Sequence, residues 1–517
     1  MNLKKLFFQT NKKQLAALIT ICIVYGIHGT VFNSIPFMFY RPDIICTKSD
    51  GVQYKCTEEE MCKLRKQDSS FQYHFEPYND ILSIPIEYDL FCDRKVMEAS
   101  MQTLSTIGQL CGFILSFIWN VPTEKKFKVI LTTLYAEAVC LLSLMLFDSL
   151  FFVYFALFAQ NFCFSYFYAI LFVFASEYFC DTIADAAPIL TNFLWAFTMI
   201  IYITYAYFNV YWRTHLSQFS GIPLLIMTSL FHYYCGRAPK RFEGGDGYTF
   251  NDSLIAAEES QQQGGNCHTI KQEPRQEGVS VIQELLERMR EIKSDKQQFQ
   301  NLIVYMICNA GCYVSYFGVY LAMNRLEGNL YVNSSVSTMF ELSGGISAAL
   351  LVSRFKHKQI LFYTYVLIGF SYLSCLFFQN SQTLETFGVL GLILSLLPII
   401  VSKATHEMLF PIFILYLPKL LKQKYHQFAF AAANLIGVLT MNVLPFYQYF
   451  MEMYSLNQFV GYGLFMFVVV FQIGRIVELD NESLLWVKES SILKKNSNSS
   501  DNNHINIQMD NIVTLSK

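Results

Sequence analysis

The sequence predicts an all-α polytopic membrane protein with twelve transmembrane helices in two six-helix bundles. Three observations carry the prediction. Of the 517 residues, 53% are hydrophobic and only 15% charged, with a mean hydropathy of +0.32; a soluble chain carries about 25% charged residues. The apolar residues gather in blocks of about 20, the length of helix that crosses the hydrocarbon layer of a bilayer. The blocks fall into two sets of six with one polar stretch between them. This composition excludes a soluble enzyme, a disordered scaffold and a disulfide-stapled secreted domain. A net charge of −2 gives no electrostatic footprint for nucleic acid.

The first six spans are expected near 14–40, 97–119, 128–147, 150–175, 184–208 and 214–235, and the second six near 298–323, 331–353, 359–378, 388–417, 426–450 and 457–475. The first is too long for a signal peptide, and no small-residue cleavage site follows it. Basic residues mark alternate connections: Lys4, Lys5, Lys12 and Lys13; Lys125, Lys126 and Lys128; Arg354, Lys356 and Lys358; Lys419, Lys422 and Lys424. The positive-inside rule then places both termini in the cytosol. The connection after the fourth span, with Glu177, Asp181 and Asp185 and no base, is the exception.

The organisation expected is a cytosolic N-terminus over 1–13, a first bundle over 14–235, a cytosolic linker over 236–297, a second bundle over 298–475 and a disordered cytosolic tail over 476–517. The linker is rich in Gln, Glu, Gly and Ser, as solvated segments are. Within it, Ile282, Leu285, Leu286 and Met289 recur at helical spacing among charges, which predicts an amphipathic helix over 281–296 on the membrane face.

Residues 41–96 form the one long extracytoplasmic loop, with Cys46, Cys56, Cys62 and Cys92. Four cysteines outside the cytosol are read as two disulfides, with three connectivities open. No His or Cys-x-x-Cys grouping supports a metal site there, and no metal is expected. Oxidised cysteines suit the plasma membrane or an endomembrane.

Glu87-Tyr88-Asp89-Leu90-Phe91-Cys92-Asp93-Arg94-Lys95, before the second span, resembles the end of the outer loop in organic cation and anion transporters, solute carrier family 22 of the major facilitator superfamily. Tyr211-Trp212-Arg213 and Arg237-Ala238-Pro239-Lys240-Arg241-Phe242 around the sixth span are similar to landmarks of that family. So are Tyr316-Phe317-Gly318, Gly328-Asn329-Leu330-Tyr331-Val332-Asn333, Phe340-Glu341-Leu342 and Leu415-Tyr416-Leu417-Pro418 with Lys422, in the same order. The resemblance runs from about residue 14 to 480 and implies the major facilitator fold, a central cavity and alternating access. It also implies a cytosolic clamp of charges, here reduced to Lys125 and Lys126, Glu177 without its usual downstream base, Arg354, Lys358 and Lys422. Either the gating has been rebuilt or the protein no longer cycles.

Charges inside spans are functional hypotheses. Lys403 and Glu407 of the tenth span are four apart and on one face, so they can neutralise each other. The resemblance places Glu407 on the cavity and Glu341 at the family's membrane-embedded glutamate. Glu137 in the third span needs a partner that sequence does not identify, and His28 in the first span is read as a hydrogen-bonded core residue before a proton relay. Sixteen residues past Pro418 stands Asn434, where cation-transporting relatives carry Asp and anion-transporting relatives Arg. A neutral amide there leaves the sign of the solute open. Tyr316 and Phe317 are further candidates for the cavity wall.

The function expected is transport of a small organic ion or zwitterion, facilitated or ion-coupled, with the solute and the lipid bilayer as partners. No nucleotide-binding motif, cofactor motif or enzyme constellation is present in the sequence. Two other readings fit the degenerate clamp or the fold: a transport-inactive relative assembled into a membrane complex, and a sugar-porter-like carrier.

Overall fold

Each predicted span is a helix in the computed structural model, which describes residues 11–47, 51–67, 71–76, 81–179, 181–237, 281–323, 330–352, 354–378, 381–454 and 456–479. The N-terminus up to residue 10, the linker over 238–280 with its Ala238–Phe242 landmark, Gly328-Asn329 and the tail from 480 lie outside these residues.

In the N-terminal half the helices are α1 Lys12–Asn33, α2 Lys95–Ile118, α3 Thr123–Ser143, α4 Leu150–Tyr178, α5 Asp181–Phe208 and α6 Ile222–Arg237. A short turn, Trp212–Thr214, and a π-helical stretch, His215–Gly221, lead into α6. The linker helix is α7 Val281–Ser294. The C-terminal half holds α8 Lys296–Met323, α9 Leu330–Val352, α10 His357–Phe378, α11 Ser381–Leu420, α12 His426–Met453 and α13 Gln458–Ile473. Eight of these helices are long and apolar enough to cross a membrane by length and composition alone. The other four spans fall short for local reasons. Helices α6 and α13 have 16 residues each; α3 carries Glu124, Lys125, Lys126, Lys128 and Glu137, and α8 carries Gln298, Gln300, Asn301 and Asn309.

Helix pairing shows an internal repeat. In the N-terminal half α2 packs on α4, α1 on α5 and α6, and α3 on α4 and α6. The same pairs recur six spans later, as α9 on α11, α8 on α12 and α13, and α10 on α11 and α13. The halves meet along α5 with α9 and along α2 with α12. Small residues permit the tightest contacts, as expected where lipid supplies no hydrophobic drive between helices. A methyl group on Gly112 of α2 would stand 2.9 Å from Ser165 Cβ of α4, and one on Gly344 of α9 would stand 2.9 Å from Glu407 Cβ of α11.

The all-α expectation needs one addition. The loop after α1 folds into an antiparallel sheet, β1 Asp43–Thr47, β2 Gln53–Cys56 and β3 Tyr73–Glu76, with β1 in the centre. Alternation places Ile44 and Cys46 of β1 inward, with Cys56, Met61 and Phe91. The segments are too short to register as strands beside twenty-residue apolar blocks. Of the three connectivities, the structure has Cys46–Cys56 and Cys62–Cys92. The second bridge spans 30 residues, worth about 3–4 kcal/mol of chain entropy to the loop. Replacing Cys62 and Cys92 with serine is expected to open rapid tryptic cleavage at Lys63, Arg65 and Lys66 while the helices stay protected. Unchanged cleavage would show that the sheet holds without the bridge.

Candidate solute cavity between the two helix bundles

A cavity of about 50 Å³ lies between the halves, lined by Tyr25 of α1, Gln109 of α2, Phe164 and Tyr168 of α4, Asn192 and Trp195 of α5, Tyr313, Tyr316 and Phe317 of α8, and Glu407 and Phe410 of α11. Among these residues Glu407 alone is an acid or base of the Asp, Glu, Lys, Arg or His type. The helical period puts Lys403, His406, Glu407 and Phe410 on one inward stripe of α11. The two halves join on both sides of the cavity. On the sheet-bearing side, Tyr331 of α9 packs 5.3 Å from both Phe37 and Tyr207. On the linker side, Phe117 packs 4.8 Å from Phe428, and Gln427 Nε2 donates to Trp119 O at 3.3 Å.

The charges pair differently from the helical-spacing expectation. Lys403 Nζ donates to Glu341 Oε1 of α9 at 2.6 Å, with both side chains buried, and lies 5.1 Å from the Tyr316 ring centroid. Glu407 instead accepts from Asn192: Nδ2 lies 2.8 Å from Oε2 and 2.7 Å from the Glu407 carbonyl oxygen. Four residues along a helix rotate a side chain by about 40°. That is enough to turn Lys403 toward α9 and Glu407 toward α5. Ser315 Oγ and His406 Nδ1, 2.7 Å apart, close the same buried layer.

Asn434 is buried one side chain behind the cavity wall. Its Oδ1 accepts from Tyr313 Oη at 3.1 Å and Asn309 Nδ2 at 3.4 Å, and its Nδ2 donates to Phe430 O at 2.8 Å. It therefore touches the cavity through Tyr313. Tyr316 and Phe317 line the cavity themselves. The wall residues that sequence reasoning did not single out are Tyr25, Gln109, Phe164, Tyr168, Asn192, Trp195, Tyr313 and Phe410. Gln109 and Asn192 had a signal, as amides inside apolar spans. The aromatic residues had none, among 48 Phe and 32 Tyr.

The predicted clamp residues are spread over the linker side. Glu177 has a base, but from another helix: Lys126 Nζ lies 2.6 and 2.7 Å from its two carboxylate oxygens, and Thr123 Oγ1 donates at 2.9 Å. Lys125 and Arg354 are exposed. Lys358 Nζ donates to Ile476 O at 2.8 Å beyond the end of α13. Lys422 pairs with Asp295 at 3.5 Å, and its neighbour Lys424 pairs with Glu291 of α7, holding that carboxyl below its usual range. With its amide turned to suit its neighbours, Asn120 accepts from Arg288 at 2.8 and 3.1 Å and donates to Gln427 at 2.6 Å. Helix α7 thus rests on the bundle through Leu285 and Ile292, while Leu286 and Met289 stay half exposed.

On the opposite side, two sequence landmarks meet. Arg213 Nη2 donates to Glu87 Oε1 at 2.8 Å and to Tyr88 Oη at 2.5 Å, and Trp212 Nε1 donates to Glu87. Glu137 has its partner in His28, with Nδ1 2.8 Å from Oε1.

Twelve helices in two repeated halves around a central cavity are the major facilitator fold, and the protein is an integral, multi-pass membrane protein. No family model matches the sequence, and no curated protein matches it. Solved structures do. The proton:xylose symporter XylE bound to 6-bromo-6-deoxy-D-glucose is 12% identical over 92% of this chain and 97% of that one, with a TM-score of 0.54. FucP in its outward conformation is 9% identical over 90% and 100%, with a TM-score of 0.54. A double-tryptophan XylE variant is 11% identical over 90% and 96%, with a TM-score of 0.56. At these identities the likeness is one of fold.

Proposed function

We propose that the protein moves a small organic cation, or a zwitterion entering by its ammonium end, across the membrane by alternating access. The organic-ion carrier resemblance supports the class; the observation that carries the charge is the single carboxylate, Glu407, in a wall of aromatic rings. A cation gains from both: the carboxylate by Coulomb attraction in low dielectric, the ring faces by their quadrupoles. The amide of Asn192 now occupies Glu407 across the junction of the two halves. An entering ammonium group takes its place, which loosens α5 from α11 and lets the halves rock about the bound solute. A cavity of about 50 Å³ has room for a few water molecules, so the solute enters a more open state. The Lys-rich linker side faces the cytosol in this reading.

The test is uptake into proteoliposomes of labelled organic cations, with anions, zwitterions and sugars in parallel. Saturable cation uptake is expected, weakened about 10–100-fold by Glu407→Gln, the value of one charge-assisted contact. Wild-type uptake in that variant removes the assignment of Glu407. Uptake of sugars alone favours a sugar carrier, and no flux of any class, with stoichiometric co-purification of a larger complex, favours an assembly subunit.

A further inference from the structure

Helix α7 carries more on its surface than its contacts with the bundle use. Three stripes run along it, each with the three- and four-residue spacing of one helix face. Leu285, Arg288 and Ile292 form the stripe against the bundle: Ile292 is buried, Leu285 packs on the core, and Arg288 holds Asn120. Glu287, Glu291 and Ser294 form a second. Leu286, Met289 and Lys293 form the third, turned about 100° from the first, and Arg290 stands at its edge, four residues past Leu286. Leu286 and Met289 are each 47% exposed, and both bases are exposed. Among the described residues the nearby carboxylates are taken elsewhere: Glu291 pairs with Lys424 and Asp295 with Lys422, and neither Arg290 nor Lys293 has one.

The anchors of α7 fix its level. Arg288 meets Asn120, two residues past the end of α2; Glu291 meets Lys424, two residues before α12; Asp295 meets Lys422, two residues past the end of α11. The stretch from Arg288 to Asp295, about 10 Å of helix, thus lies against the ends of three membrane helices. A helix pointing away from the membrane would leave that level within two turns. The chain bends at Asp295, whose Oδ1 accepts from Gln298 N at 3.2 Å and caps α8. Four residues on, Phe299 is the first exposed apolar side chain of α8, at 40%, followed by Ile303. About 9 Å of helical rise separates Lys293 from Phe299, comparable with the headgroup layer on one side of a bilayer.

We propose that the flank formed by Leu286, Met289, Arg290 and Lys293 is a docking surface for anionic phospholipid in the leaflet on the linker side. The two apolar side chains enter the interface and the two bases meet headgroup phosphates, as on an interfacial amphipathic helix. Lys296, exposed at the start of α8, adds a third positive charge at the same level. Charge separates the flanks: the bases share the apolar one, and Glu287 and Glu291 stand on the other. An anionic surface is therefore attracted to one side of α7 only. A soluble acidic partner would suit the bases, but the level of the stripe puts Leu286 and Met289 at the lipid interface. The docking surface depends on neither the charge of the solute nor transport itself.

The test is photocapture. The full chain with Met289→benzoylphenylalanine is placed in mixed vesicles of phosphatidylserine and phosphatidylcholine, each lipid carrying its own tag, and irradiated. Preferential capture of phosphatidylserine is expected. Each base at an anionic surface is worth about a fivefold preference, so adding Arg290→Gln with Lys293→Gln is expected to cut the capture ratio about 25-fold. Salt at about 1 M, which shortens screening to about 3 Å, is expected to lower the ratio without any change to the bases. Equal capture of the two lipids with both bases present, or a ratio that neither the double substitution nor salt moves, overturns the proposal. So does capture of protein in place of lipid, whether this chain's own residues or a second copy. The same photoreactive residue at Glu287, on the acidic flank, is expected to capture little lipid, and equal capture there also overturns it. Absence of solute uptake would remove the transport reading and leave this capture unchanged, so the two failures are separable.

Discussion

Replacing Arg213 with methionine is expected to destabilise the protein by about 3–5 kcal/mol, the cost of stripping one partner from a buried charged network. Arg213 stands at the junction of α3, the outer loop and the entry to α6, and it is 1% exposed. Its Nη1 donates to Leu144 O at 2.6 Å and Phe147 O at 2.8 Å, just past the end of α3. Leu144 caps the C-terminal end of α3, where a cation is also favoured by the helix dipole, and Phe147 lies in the turn beyond it. Its Nε and Nη2 hold Glu87 Oε1 at 3.1 and 2.8 Å. Methionine fills the space but takes the donor from two carbonyls and leaves Glu87 without its cation. Lysine restores the charge without the fork that reaches four acceptors, so Arg213→Lys is expected to recover only part of the loss. Thermal unfolding of the purified protein in micelles measures both. A methionine variant within about 1 kcal/mol of wild type would show that the Arg213 network contributes little to stability.

The second large effect is at Lys403. Lys403→Met leaves the carboxylates of Glu341 and Glu407 together in the membrane interior without the cation, again at about 3–5 kcal/mol. The rescue pattern separates two pairings. With the contact seen here, Lys403 Nζ to Glu341 Oε1 at 2.6 Å, adding Glu341→Gln removes the orphaned charge and returns stability to within about 1 kcal/mol of wild type, since losing both partners is often near neutral. Adding Glu407→Gln leaves Glu341 unpaired and is expected to recover little. The reverse order would restore the pairing expected from the spacing along α11. Both double variants belong in the same unfolding series as Arg213→Met.

That pairing shows where sequence reading stops. Lys403 and Glu407 were visible as intramembrane charges because they interrupt an apolar block, and so were Glu137 and Glu341. Their partners were not, because Glu341 lies 62 residues from Lys403 and meets it only where Gly344 lets α9 close on α11. The same holds for Glu177, whose base sits on α3 through Lys126 rather than downstream of it. Asn434 was selected by its count from Pro418; its place behind Tyr313 follows from the rotation of α12 against α8, which no spacing along one helix reveals. The outer-loop cysteines were legible as a pair of bridges and not as particular bridges, since connectivity depends on the β1–β2 hairpin that brings Cys56 across from Ile44, beside Cys46.

What the sequence determined by itself is what one helix at a time can express: that the chain lives in a membrane, crosses it twelve times in two sets of six, and carries scarce charges worth explaining. Hydropathy and length are local properties, and a bilayer reads them locally. The tertiary structure alone decided which charge meets which, that Glu407 faces an aromatic cavity beside Asn192, and that His28 answers Glu137. Those outcomes depend on helix rotation and on contacts between residues far apart in the chain, where a turn of about 40° changes the partner.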